Sequence, residues 1–204
     1  MRALDWQRFF QQQRDEHRKM VFTTAELANV AQASPGVLNV ALRRLVKQGV
    51  LARYAAGRYG LPGAVSPEDL VPTLDTSAYV TAMYSLYRHQ IITQAPTEIT
   101  CFTNRRHNRS RVRKTPFGRI VFVCVESAVY STPQDGVMAS GEQAFCDFIH
   151  VCRKRGVRAS SLVTFRNMDR LDRQSLAEIL IRYPVAARRE ATRLLAKNGL
   201  MMPG

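Results

Sequence analysis

Apolar positions follow a helical period at both ends of the chain and a strand-like one in the middle. Near the N-terminus Trp6, Phe9 and Phe10 stand at i, i+3 and i+4 in a polar run, which predicts a helix with one buried stripe. A second helix is expected from the start Thr23-Thr24-Ala25-Glu26. There a threonine hydroxyl can accept from an amide while Glu26 reaches back, with Phe22 and Leu27 at the staple positions. It stops before Ser34-Pro35-Gly36, where Ser34 suits an N-cap and Pro35 the first helical position. In the third helix, PGVLNVALRRLVKQG, the pairs Val37/Leu38, Ala41/Leu42 and Leu45/Val46 predict an inward face. Gly36, Asn39, Val40, Arg43, Arg44 and Lys47 are left outside with no acidic residue among them, and Gly49 supplies the stop. The run VLARYAAGRYGL then reads as two short strands around a glycine turn, each with an Arg-Tyr pair. Residues 1–63 are thus expected to form a winged helix-turn-helix.

GAVSPEDLVPT has two prolines and little apolar periodicity, so residues 64–73 are expected to be a linker. Beyond it, Val80, Met83, Tyr84 and Tyr87 predict a helix starting at Asp75 or Thr76. Strands are expected at 91–93, 97–103 and 119–125, the last apolar enough to be covered on both faces. Short strands at 129–131 and 137–138 would flank the Asp135-Gly136 turn. A helix capped at Ser140 carries Phe145, Phe148, Ile149 and Cys152 at i, i+3, i+4 and i+7. Two more follow, one capped at Asp172 and one after Pro184, so residues 157–204 are expected to be helical. The fold class is therefore α+β, with the winged helix-turn-helix followed by a mixed α/β domain at 74–204 and its C-terminal helices.

Charge sharpens this outline. The 204 residues hold 30 Lys+Arg against 16 Asp+Glu, a formal charge of +14, which favours a polyanionic partner. Residues 1–63 carry 10 basic and 4 acidic side chains, so the excess is not confined to a tail. No run of about 18 apolar residues marks a membrane span, and the N-terminus lacks the apolar core of a secretory signal; a cytoplasmic location without membrane contact is expected. The four cysteines have no zinc-ribbon spacing and read as free thiols.

A helix of ~12–14 residues fits the major groove with its N-terminal side chains at base edges. Ser34, Gly36 and Asn39 would lie nearest the bases, with Arg43, Arg44 and Lys47 nearer the phosphates. Arg53, Tyr54, Arg58 and Tyr59 on the wing would reach flanking backbone or the minor groove. The densest charge lies elsewhere: Arg105, Arg106, Arg109, Arg111, Arg113, Lys114 and Arg119 are seven cations in fifteen residues, without an acid. This loop, closed by Pro116 and Gly118, suits phosphate on DNA or RNA; it also reads as a solvated hairpin whose charges discourage edge pairing. Catalytic signatures are missing: there is no Walker loop, GxGxxG or GxSxG. Glu142, Cys146 and His150 fall at i+4 steps beside Asp147, but Cys146 borders an apolar stripe and Glu142 serves a helix start. No metal, cofactor or catalytic residue is expected. No heptad pattern marks a coiled coil, so two copies would bind inverted repeats as separate monomers.

The order of motifs resembles a known family. After the basic N-terminal domain come SAYVTAMYSLYRHQII, PTEITCFTNRRHNR, a strand ending in VESAVY, and GVMASGEQAFCDFI. Over residues ~23–155 this is similar to the AbiEi family, antitoxins and transcriptional regulators of type IV toxin–antitoxin operons. Residues 139–147, ASGEQAFCD, resemble its helix-opening E-(K/R)-(A/T)-L-x-D, with Gln143 where the family is basic. The resemblance implies a non-enzymatic protein that represses its own operon on double-stranded operator DNA. It also implies an antitoxin that opposes a cognate nucleotidyltransferase toxin without a stable complex. The residues alone leave a second reading open, an RNA- or protein-binding adaptor working through residues 105–119.

Overall fold

A computed structural model describes residues 2–107 and 110–200. They form a mixed α+β chain with two small sheets. Two compact units divide it: the described residues up to Thr76 with Lys114–Phe117, and Ser77–Arg113 with the described residues from Gly118 onward.

The first unit runs α1 (Ala3–His17), β1 (Phe22–Thr23), α2 (Thr24–Ala31), α3 (Pro35–Lys47), β2 (Ala52–Ala55), β3 (Arg58–Gly60) and α4 (Pro67–Leu74). Its antiparallel sheet has the order β1-β3-β2, with Phe22 opposite Tyr59. The predicted stripes meet in one core of Trp6, Phe10, Phe22, Leu27, Leu38 and Leu42. Phe10 and Phe22 pack edge to face at 4.8 Å, a favoured aromatic geometry. The expected capping box closes α2: Thr23 Oγ1 accepts from the Glu26 amide at 3.2 Å, and the Glu26 carboxylate accepts from the Thr23 amide at 2.8 Å. Ser34 precedes α3 without a side-chain cap, so Pro35 alone marks that start.

Residues 64–73 are not a plain linker, because α4 occupies most of them. Ser66 and Asp69 form a reciprocal capping box, and Pro67 takes the first helical position rather than breaking the helix. Leu70 and Val71 are fully buried.

After Thr76 the chain runs β4 (Tyr79–Thr81), α5 (Ala82–Arg88), β5 (Glu98–Thr103), β6 (Val112–Thr115), β7 (Gly118–Cys124), α6 (Gly141–Lys154), α7 (Ala159–Leu162), α8 (Arg173–Leu180) and α9 (Val185–Lys197), all in the second unit but for Lys114 and Thr115 of β6. A 3-10 turn at Met168–Arg170 precedes α8. The sheet order is β4-β5-β7-β6. β4 pairs antiparallel with β5, and β5 runs parallel to β7 from Glu98 opposite Arg119 to Thr103 opposite Cys124. α6 is buried at nearly every position from Gly141 to Cys152, as a helix surrounded by α5, β4, α7, α8 and α9 must be.

Several expectations here are corrected. The helix predicted from Asp75 or Thr76 begins only at Ala82, because the chain first forms β4. Residues 78–82 are buried without interruption, and Ala82 has a left-handed φ of 55° that marks the switch. Ile92 makes a single bridge to Phe165 instead of a strand, and Met138 a single bridge to Val80; no strand forms at 129–131. β7 buries Ile120 and Phe122 while Val121 and Val123 are only half-buried, so its two faces are not equally covered. Among the described residues no helix is long and apolar enough to cross a membrane.

Candidate nucleic-acid interface

α3 buries Leu38, Leu42 and Leu45 and turns the opposite side outward. Ser34, Gly36, Asn39, Arg43, Arg44 and Lys47, all predicted to face a ligand, are exposed. No ion pair to Arg43, Arg44 or Lys47 is found among the described residues, and the first turn of α3 contains no acid. Its free amides and the positive end of its dipole are thus not neutralised by a local carboxylate. Val37, expected inside, is 64 % exposed, because the buried stripe is narrower than the paired pattern suggests.

The hairpin departs further from expectation. Arg53 is exposed, with its Nε donating to its neighbour's carbonyl, Ala55 O, at 3.3 Å. Tyr54 and Tyr59 turn inward and are only 3 % and 8 % exposed, so neither ring stands free to reach a ligand. A register shift between Arg53 and Ala55 accompanies this arrangement, and Tyr54 donates its hydroxyl to Leu61 O at 2.7 Å. Burial also raises the Tyr54 phenol above its ordinary range. Arg58 is committed as well: its Nε donates to Thr73 O at 2.9 Å, tying the hairpin to the last turn of α4. Of the four hairpin residues expected to reach a ligand, Arg53 alone is exposed.

The basic segment at 105–119 is only partly a loop. Arg105, Arg106 and Arg111 are exposed on the connection from β5 to β6, Lys114 lies on the edge strand β6, and Arg119 is exposed on β7. Arg109 lies outside the described residues. Arg113 serves the fold: its guanidinium donates to Ser110 O and Val112 O and lies 6.0 Å over the Phe122 ring. The His107 ring covers Phe122 too, at 4.7 Å. Cations on edge strand β6 also oppose pairing with another chain.

The second unit is organised around Asp147, the last residue of the ASGEQAFCD motif, for which the sequence suggests no role. Asp147 on α6 has no exposed surface, and four side chains donate to it. Thr81 Oγ1 does so at 2.6 Å, Tyr79 OH at 3.2 Å and Gln143 Nε2 at 3.0 Å, with the Tyr183 hydroxyl beside them. Arg182 in turn donates to Gln143 Oε1 at 2.8 Å, one link removed from the carboxylate. Two features of the sequence point to it, a charged residue beside the apolar stripe of α6 and its place at the end of the ASGEQAFCD motif, and neither names its partners. Burial pushes the Asp147 carboxyl up to about 6, against the hydrogen bonds from Thr81, Tyr183, Gln143 and Tyr79. The folded chain therefore keeps a proton that an unfolded aspartate, with a pKa of about 3.9, has already lost. The stability this proton confers is full below about pH 4 and declines as pH rises to about 6. Urea titrations from pH 4 to 7 are expected to show that decline in the wild-type chain relative to Asp147→Asn. A pH-independent difference between the two would contradict it.

His150, one turn along α6, has a buried Nε2 without a hydrogen-bond partner, and burial and then Lys154 lower its pKa. Its ring packs between Phe102 and Tyr183, so it is a neutral core side chain here. Burial likewise raises the Cys146 thiol, and none of Cys101, Cys124, Cys146 and Cys152 forms a disulfide. Among the described residues no three His, Cys, Asp or Glu side chains gather as metal ligands. A shallow groove of about 620 Å³ between α8 and α9 exposes Ile181 and Val185 beside Arg188, Arg189 and Arg193.

No protein-family model matches this chain, and no curated protein matches it.

Proposed function

We propose that the protein is a DNA-binding transcriptional repressor, with the first unit acting as a winged helix-turn-helix and α3 as its recognition helix. The observation that carries this reading is the exposed face of α3. It presents Arg43, Arg44 and Lys47 with no acidic residue, on a helix of 13 residues followed directly by a hairpin. A helix of that length enters the major groove, and its cations reach flanking phosphates. Asn39 and Ser34 supply donors and acceptors for base edges, and Arg53 a single wing contact. This is a smaller interface than the ten residues first expected, since Tyr54, Arg58 and Tyr59 serve the fold.

The AbiEi resemblance extends the proposal to a cytoplasmic, non-enzymatic antitoxin that represses its own toxin–antitoxin operon and opposes a nucleotidyltransferase toxin. In the resembling motif the second position is basic. Here neutral Gln143 fills it, and Arg182 brings the cation from outside α6.

The direct test is fluorescence anisotropy with duplex DNA from upstream of the chain's own gene, at several salt concentrations. Affinity is expected to fall steeply with salt, with a log–log slope near −0.9 for each phosphate neutralised. Binding no stronger than to unrelated duplex would remove the repressor role. The exposed Arg105, Arg106 and Arg111 favour one second reading, an RNA-binding adaptor. Under it, single-stranded RNA would outcompete duplex DNA, and substitutions on α3 would leave binding intact.

A further inference from the structure

The outward face of α3 is not purely cationic. Val37 and Val40 are each 64 % exposed. At ~100° per residue, Val40 points about 170° away from the mean direction of Leu38, Leu42 and Leu45. It stands at the middle of the outward face, one turn after Gly36 and before Arg43, Arg44 and Lys47. Val37, Val40 and Arg44 form a single i, i+3, i+7 row.

Neither valine helps the helix. A β-branched side chain loses rotamer freedom in a helix, and at this exposure it gains little burial in return. Gly36 is a second, independent oddity. A Cβ placed there would meet nothing within 4 Å, so no contact inside the chain requires glycine. Among residues other than proline, glycine is the poorest helix former. Three neighbouring positions on one face therefore weaken α3 without serving its packing. What they share is a shallow apolar surface beside cations, open to close approach.

The ligand that matches is apolar at its centre and anionic at its rim. In the major groove the C5-methyl of thymine is the apolar feature of a base edge, and phosphates flank it. We propose that Val37 and Val40 are specificity-determining residues that read thymine C5-methyl groups, while Gly36 lets the base edge approach α3. This inference rests on the reading of α3 as a helix that binds duplex DNA. It adds that thymine is told from cytosine by the methyl as well as by hydrogen bonds.

The full chain is used to select from duplexes with about 20 randomised base pairs, a span sufficient for two half-sites one helical turn apart. The tightest duplex is then resynthesised with deoxyuridine in place of one thymine at a time, which removes the methyl and nothing else. At one or two positions affinity is expected to fall about three- to fivefold, the effect of one buried methyl group. Val40→Ala or Val37→Ala should abolish the matching sensitivity, as a coupled pair requires. Gly36→Ala is expected to raise the melting temperature of the chain yet weaken binding several-fold. Deoxyuridine tolerated at every position, or sensitivity unchanged in both valine variants, would overturn the methyl reading and leave DNA binding standing. If no duplex is enriched above a chain carrying Arg43→Glu and Arg44→Glu, the DNA reading falls and this inference with it.

Discussion

Replacing Asp147 by Ala is expected to lower the unfolding free energy by about 3–4 kcal/mol, the largest stability loss from any one polar side chain of the second unit. The cost does not come from the volume removed. It comes from the hydroxyls of Tyr79, Thr81 and Tyr183 and the amide of Gln143, which converge on this carboxyl in a site closed to water. Each would lose a partner that no solvent molecule replaces, at about 1–3 kcal/mol for a buried donor, reduced where a hydroxyl can turn to another acceptor. Tyr183→Phe removes one donor to the carboxyl and an acceptor for Gln143 Nε2 but leaves the carboxyl three donors, so a loss of about 1–2 kcal/mol is expected. Because protonated Asp147 is the more stable form, the Ala deficit should be larger near pH 5 than at pH 7. Urea unfolding followed by far-UV circular dichroism measures the loss, and hydrogen exchange of the α6 amides locates it. A deficit below 1 kcal/mol at both pH values would show that the cluster is not a stabilising centre.

This centre explains why one part of the chain was legible in sequence and another was not. Helix starts are local. Thr23 with Glu26 and Asp172 with Ser175 interact over three residues, and both caps are found where the pattern predicts them. The buried side of α3 is local too, since Leu38, Leu42 and Leu45 repeat within the helix itself. Asp147 instead meets Tyr79, Thr81 and Tyr183, which lie 68, 66 and 36 residues away. No window of helical length contains that cluster.

The misread elements share a different cause. Residues 78–82 are apolar or small and buried on every side, so a strand and a helix offer the same pattern. In the hairpin, alternation of Arg and Tyr suggested two exposed pairs, but the register shift after Arg53 brings Tyr54 and Tyr59 both inward. The acceptor of Arg58, Thr73 O, belongs to a helix that the prolines of residues 64–73 conceal in the sequence. For the candidate interface, the helical period thus predicts which α3 residues are exposed, whereas it does not predict that Tyr54 and Tyr59 are buried. Val37 is exposed although its place beside Leu38 fits the pattern of the inward face.

The double substitution Arg43→Ala, Arg44→Ala is expected to weaken binding to upstream duplex DNA about 30- to 100-fold at low salt. Both side chains are exposed and lack an acidic partner among the described residues, so their removal should leave the melting temperature within about 1 °C or raise it slightly. If each neutralises one phosphate, the log–log salt slope should shrink in magnitude by about 1.8, which a general loss of structure would not produce. Lys47→Ala would remove about half as much of the slope, as a single cation on the same face. The competing assignment makes the opposite forecast. Were the segment around Arg105, Arg106 and Arg111 the working surface, substitution there would reduce the slope and the α3 variants would retain it. Measuring both sets on the same duplex at matched salt therefore apportions the salt slope between the α3 face and the connection from β5 to β6. The α3 face is expected to carry the larger share, because its cations project from one helix at fixed spacing, whereas Arg105, Arg106 and Arg111 lie outside helix and strand between β5 and β6.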